Sequence, residues 1–336
     1  MTETVEKSGP AESRGRAVGR QIRGLEYIVL LIILGVVIGI MYVVTGGKNI
    51  APANVRHVLV QSAARGVSAV GQTFVMLTAG IDVSVAGIAF GASALGAGLM
   101  TTQSWQNLVG EPVPVYAGTL AMLALGVGFG TLSGLLVSRF GMSPLVVTLG
   151  MWQIGWGTGF SMTGGFTVTR LIKDFVFFGQ GSVAGFPMPG VIFIPVIIVA
   201  YLILTYTTYG KSVYATGGNP AMAYLTGIKV NRTLVSVYAI SGFMAALAGL
   251  IVTARVNSVS DASFIGLELQ SIAAAAIGGI SLAGGKGSLI GVGIGVFILG
   301  FIYNGLNIIG APPFLEGLIE GLIILVAVIV DYRLRR

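Results

Sequence analysis

Long apolar runs alternate along this chain with short polar punctuation, and the length of those runs is the first constraint. A helix needs about 20 apolar residues to cross the hydrocarbon of a bilayer, and irregular backbone is tolerated only at the water boundary or inside protein. By that rule the sequence predicts helical spans near 27–45, 58–80, 84–101, 115–138, 144–163, 188–208, 233–254, 267–283, 288–308 and 314–331. The turns after the second and the eighth spans are short and rich in glycine. Glycines recur four apart, at Gly35 and Gly39, Gly87 and Gly91, Gly126, Gly130 and Gly134, Gly155 and Gly159, Gly291 and Gly295, and Gly317 and Gly321. Such small-residue spacing lets helices approach closely where lipid removes the hydrophobic drive to associate. The expected fold is an all-α integral membrane protein of about ten transmembrane helices.

Composition supports that class. Hydrophobic residues make up 54% of the 336 and charged ones 9%, against about a quarter charged in soluble domains. Cysteine is absent, which excludes a disulfide framework and thiolate chemistry. The single histidine, His57, cannot form a zinc site alone and reads as a wetted residue beside a membrane end. The net charge of +7 gathers at the ends of spans: Arg14, Arg16, Arg20 and Arg23 precede the first, and Arg333, Arg335 and Arg336 follow the last. The positive-inside rule then puts both termini in the cytoplasm, in agreement with an even number of spans. Alternation assigns Arg139, Lys211, Lys229, Arg232 and Lys286 to the cytoplasm, and Lys48, Arg56, Glu111, Arg170, Asp174, Asp261 and Glu268 to the outer side. Residues 1–26 read as a disordered basic tail, 27–331 as the polytopic transmembrane domain, and 332–336 as a basic C-terminal tail. The first run lacks a small-residue cleavage site and is expected to be an uncleaved span.

Three segments carry candidate chemistry. "GGISLAGGKGS", Gly278–Ser288, resembles a phosphate-cradling loop, but a Walker A motif reads G-x-x-x-x-G-K-[ST]. Ile280 stands at the first glycine position and Gly287 follows Lys286, so the stretch is expected to be a turn that binds no nucleotide. Within it "GISLA", Gly279–Ala283, weakly echoes "GIDVS", Gly80–Ser84, as internal repeats do in many transporters. Hydrolase and metalloprotease signatures are missing from the sequence, and the chain is expected to be no enzyme. "YATGGNPAMAYLTGIKVNR", Tyr214–Arg232, reads as a short cytoplasmic helix with its own punctuation. Asn219 suits the N-cap, Pro220 the first turn, and Gly227 a left-handed end. Met222 and Leu225 share a face that another protein could receive.

These segments, "LTAGIDVSVAG", "SPLVVTLGMWQIGWG", "GGNPAMAYLTGIKVNR" and "AAAAIGGISLAGGKGSLIGVGIGVFILGFIYNGLNIIG", occur in the order found in permease subunits of bacterial ABC importers for ribose, xylose and related monosaccharides. The chain resembles that family over roughly residues 27–331. Ala79 and Ala86 stand where the family usually has glycine. The resemblance implies a permease of the bacterial cytoplasmic (inner) membrane that forms the path for a monosaccharide. Its partners would be a cytoplasmic ABC ATPase carrying ATP-Mg, an extracytoplasmic sugar-binding protein, and a second permease copy or a related one. It further implies no nucleic acid partner and no cofactor or metal on this chain. Asn219, Pro220, Ala221, Met222, Leu225, Thr226 and Gly227 would be the coupling helix seated in the ATPase. Candidate path residues are Gln72, Asp82, Ser84, Thr148, Gln153, Asn257, Ser281 and Asn304, since intramembrane polar groups mark solute pathways or glue helices. Asp82 also reads as a cap for the helix that follows it, at the water boundary, and Arg65 and Glu320 as an intramembrane pair. Asn257, Asp261 and Glu268 are candidates for docking the binding protein. The alternatives are an ion-coupled transporter using Asp82 or Glu320, or an ABC permease for nucleosides or an autoinducer.

Overall fold

The structure, a computed structural model, describes residues 10–312 and 314–333. In chain order the helices are α1 (Pro10–Thr45), α2 (Pro52–Leu77), α3 (Val85–Met100), α4 (Val115–Phe140), α5 (Pro144–Thr163), α6 (Lys173–Gln180) and α7 (Met188–Tyr206). They continue as α8 (Thr208–Gly218), α9 (Pro220–Leu225), α10 (Val230–Val256), α11 (Leu267–Ile277), α12 (Leu289–Ile308) and α13 (Phe314–Arg333). Two antiparallel ribbons accompany them: β1 (Val168–Thr169) pairs with β4 (Ser258–Val259), and β2 (Ser182–Val183) with β3 (Phe186–Pro187).

Each expected span contains a helix, with two differences in extent. Helix α1 begins at Pro10, so residues 10–26 continue a helix where an unstructured tail was expected. Helix-favouring Ala, Arg, Glu and Gln populate that stretch, and propagation from an existing helix is far easier than nucleation. The eighth span is cut short: α11 ends at Ile277, and at 1.5 Å per residue it is about 16 Å long, half of a hydrocarbon core. Among the described residues five helices are both long and apolar enough to cross a membrane: Tyr27–Thr45 within α1, α4, α7, α10 and α12. Helix α2 is long, yet it carries Arg56, His57, Gln61, Arg65 and Gln72, and sixteen of its residues are buried. Surrounding protein, more than lipid, is its solvent.

Helix α10 lies at the centre of the bundle. Its Gly242 backs onto Gly126 and Gly130 of α4 so closely that a methyl group on Gly126 or Gly242 would strike the other helix's backbone. Gly87 of α3 and Gly155 of α5 meet in the same way, and Gly291 and Gly295 let α12 sit against the end of α11. By contrast Gly35 and Gly39 on α1, and Gly317 and Gly321 on α13, face open space; among the described residues their spacing serves no contact.

The loops sort into two groups. Those expected outside contact one another: β1 pairs with β4, Thr101 bridges to Leu171, and Gln180 Nε2 donates to the Arg255 carbonyl at 2.9 Å. Those expected inside also meet: Gly285 N donates to Leu77 O at 2.9 Å, Tyr214 Oη to Gly287 O at 2.9 Å, and Tyr27 Oη to Ser288 Oγ at 2.8 Å.

The echo between the second and eighth spans has a structural basis, shifted by one residue from the sequence match. Helix α2 ends with Gly80 N donating to Val75 O and Ala79 N to Met76 O; α11 ends with Ile280 N donating to Ala275 O and Gly279 N to Ala276 O. Both are Schellman endings with a left-handed residue, Gly279 at φ 82° and Ala79 at φ 63°. A Cβ in that conformation costs about 1–2 kcal/mol, so Ala79 is a strained cap. Ala79→Gly is therefore expected to stabilise the protein by about 1 kcal/mol, a rise of ~2 °C in the thermal midpoint in detergent, and Gly279→Ala to lower it. A fall for Ala79→Gly would show that packing of the alanine methyl outweighs its backbone strain.

Candidate functional site

The short helix expected on the cytoplasmic side forms as its punctuation dictates. Asn219 Oδ1 accepts from Met222 N at 3.0 Å, Pro220 opens α9, and Gly227 at φ 87° closes it, with Ile228 N donating to Ala223 O. Only Ala223 of the helix is buried. Met222, Tyr224 and Leu225 stand 56, 73 and 76% exposed, a concentration of apolar surface that marks an interaction site. Pro220, Ala221, Thr226 and Gly227 are exposed beside them. Tyr224 was missed in the sequence because it lies off the Met222 and Leu225 spacing.

What lies behind α9 matters as much. It follows α8 directly, and the α8 end at Gly217 and Gly218 is wedged between the ends of two other elements. A methyl group on Gly217 would strike Leu77 O, and one on Gly285 would lie 2.8 Å from Gly218 Cα; one on Gly284 would lie 2.7 Å from Ala79 N. The stretch 278–288 thus clamps the α2–α3 turn to the base of α9. Ser281 N donates to Lys286 O across the turn, Ser281 is buried and Lys286 is exposed.

Four candidate path residues come together, and they form a sealed staple. Asp82 is 1% exposed. Its Oδ1 accepts from Ser84 N at 2.9 Å and from Ser84 Oγ; its Oδ2 accepts from Ser241 Oγ of α10 at 2.6 Å. The Gln72 amide, oriented to satisfy both groups, donates to Asp82 O and accepts from Asp82 N, and Thr148 Oγ1 donates to Ile81 O at 3.2 Å. The expectation of a cap at the water boundary is half corrected. Asp82 does receive the Ser84 amide ahead of α3, but inside the protein, tying α2, α3 and α10 together.

The other candidates are dispersed. Gln153 is exposed on α5. Asn304 exchanges amide hydrogen bonds with Asn54 at 2.6 and 3.0 Å. Asn257 ends α10 at φ 55°, half-buried, with Oδ1 unpartnered. Of the candidate docking residues only Asp261 is fully exposed; Glu268 is half-buried in the first turn of α11. Arg65 and Glu320 belong to one network without touching directly. Arg65 Nε donates to Gln270 Oε1 at 2.7 Å, its guanidinium lies 4.5 Å over the Tyr303 ring, and Tyr303 Oη donates to Glu320 Oε1 at 2.6 Å.

A cavity of 710 Å³ opens between α2, α6 and α10, among the loops expected on the outer side. Arg56, His57, Gln61 and Arg65 recur at helical spacing down one face of α2, with Gln180 and Arg255 opposite. His57 therefore faces a cavity. None of the eight path residues expected from the sequence lines it. The missed signal was the three-and-four spacing of polar residues along the first half of α2, a stripe that a purely lipid-facing helix would not carry.

The chain matches, over residues 54–328, the family described as branched-chain amino acid transport system / permease component. It is 36% identical over 282 residues to the ribose import permease protein of Bacillus subtilis, covering 83% of this chain and 85% of the relative. It is 34% identical over 302 residues to the fructose import permease protein of Rhizobium meliloti, covering 88% and 82%. To the galactose/methyl galactoside import permease protein of Haemophilus influenzae it is 33% identical over 319 residues, covering 91% and 92%. No solved structure matches it.

Because Asp82 satisfies two hydroxyls and an amide in a closed site, Asp82→Ala is expected to cost about 3 kcal/mol through the orphaned donors. Membrane abundance and the thermal midpoint would both fall, with a smaller fall for Ser241→Ala. Wild-type abundance and midpoint for Asp82→Ala would remove the staple role.

Proposed function

The chain belongs to the family of permease components of branched-chain amino acid-type transport systems and is a multi-pass membrane subunit of an ABC importer; from that premise we propose how it couples and what it carries. The solute is a monosaccharide, the class for which the relatives at 33–36% identity are named. An extracytoplasmic binding protein delivers it, an ATPase on separate chains hydrolyses ATP, and a second permease copy completes the path. This chain does no covalent chemistry.

The observation that carries the coupling role is α9: a capped helix presenting three large apolar side chains, joined through α8 to the clamp formed by Leu77, Gly217 and Gly285. ATP closes the two ATPase domains and displaces their grooves. The displacement enters at Met222, Tyr224 and Leu225 and passes along rigid helix into the α2–α3 and α11–α12 turns, where no flexible linker absorbs it. The first of those turns ends α2, whose other half lines the cavity, so the opening moves from one side to the other. Weak binding along the path suits this cycle, since tight binding would slow release.

An apolar socket that receives Leu225 cannot receive a carboxylate without a large desolvation cost. Leu225→Glu is expected to reduce ATP-driven sugar uptake by at least tenfold in vesicles that hold the assembled importer. The thermal midpoint of the purified chain should stay unchanged, because Leu225 makes few contacts at home. Undiminished uptake would defeat the coupling role. Uptake by this chain alone, driven by an ion gradient and abolished by an uncoupler, would replace the importer reading with an ion-coupled one.

A further inference from the structure

The outer cavity has a chemistry that a neutral sugar does not explain. Its polar lining is dominated by donors: three guanidinium groups, from Arg56, Arg65 and Arg255, with the amides of Gln61 and Gln180 and the ring of His57. Among the described residues that line it there is no Asp or Glu. Arg65 is held from behind, Nε on Gln270 and its face on Tyr303, while its Nη1 is buried without a hydrogen-bond partner. Glu320 reaches this arginine through Tyr303 and Gln270.

We propose that this cavity is the outer vestibule of the path and is built for a hydroxylated solute bearing a carboxylate, a sugar acid, with Arg65, Arg255 and Arg56 as its anion-binding groups. The inference rests on the monosaccharide reading above and narrows it. A guanidinium is a planar fork of donors with no acceptor, matched to a carboxylate by two parallel hydrogen bonds; a neutral hexose offers hydroxyls that both donate and accept. An amino acid also brings a carboxylate, but its ammonium would meet arginines and find no acid in the wall. The volume of 710 Å³ falls within the range of small-molecule sites and leaves room for a hexuronate with water. Arg56 and His57 are exposed at the rim while Gln61, Arg65 and Arg255 are half-buried below them, so a carboxylate entering from outside meets charge first at the mouth and then deeper.

The full-length chain, purified in detergent and separately in nanodiscs, would be titrated with D-galacturonate, D-galactose, L-leucine and acetate, reading binding by calorimetry and by thermal shift. Galacturonate is expected to bind at least tenfold more tightly than galactose, with leucine and acetate weaker still. Loss of one charged hydrogen-bonding partner is worth about tenfold in affinity, so Arg255→Gln should bring galacturonate close to galactose. Arg56→Gln, at the exposed rim where folding is not at stake, should weaken galacturonate several-fold and leave galactose unchanged. Galactose binding as tightly as galacturonate would overturn the inference and leave the monosaccharide reading intact. Leucine binding best would overturn both. Arginine variants that leave the preference for galacturonate unchanged, but weaken capture of the extracytoplasmic binding protein, would transfer these cations to protein docking and equally overturn it.

Discussion

A bilayer offers no partner to an exposed peptide group, and the most demanding consequence for this protein lies where its helices stop short. The α2–α3 turn and the stretch between α11 and α12 are irregular backbone between buried helices. They are tolerated because each completes the other. Gly285 N donates to Leu77 O, the two helix ends close on themselves with Schellman bonds, and Gly217 presses onto the same carbonyl. Three glycines without side chains allow three backbones to meet at one point. Take that contact away and the turns would have to be hydrated or refolded.

The same junction explains why the motif that resembles a phosphate loop is so rich in glycine. Gly284 and Gly285 adopt left-handed conformations at φ 81° and 71° while in van der Waals contact with Ala79 and Gly218. Close approach and backbone angle each exclude a side chain, and neither has to do with nucleotide. One consequence is mechanical. Helix α9 is attached through a few residues of α8 to the point on which both interrupted spans close, so a force on α9 reaches the transmembrane region without passing through a loop.

At the other end of the bundle the organising feature is a polar stripe on a buried helix. Helix α2 carries Arg65 in a region where an unpaired cation is expensive, and the protein answers with Gln270, the Tyr303 ring and, beyond it, Glu320. That network holds the Arg65 guanidinium at the wall of a cavity lined by two more arginines. Polar groups thus sit differently at the two levels of α2. Gln72 and the Asp82 it grips satisfy one another inside the protein, whereas Arg65 and its neighbours line a cavity.

Much of this was written in the sequence because it depends on local physics. Spans follow from the length of apolar runs, α9 from Asn219, Pro220 and Gly227, and the grouping of loops from the placement of basic residues. These signals lie within a few residues of the element they specify. What the sequence could not supply was which polar groups face each other across elements. Asp82 was legible as a cap but not as the acceptor for Ser241, far away in the chain; Gln153 looked equivalent to Gln72, yet one is exposed on α5 and the other locked onto Asp82. Length and periodicity report a residue's own helix, and only the packing of one helix against another decides whether its polar side chain is enclosed, exposed or turned toward a cavity.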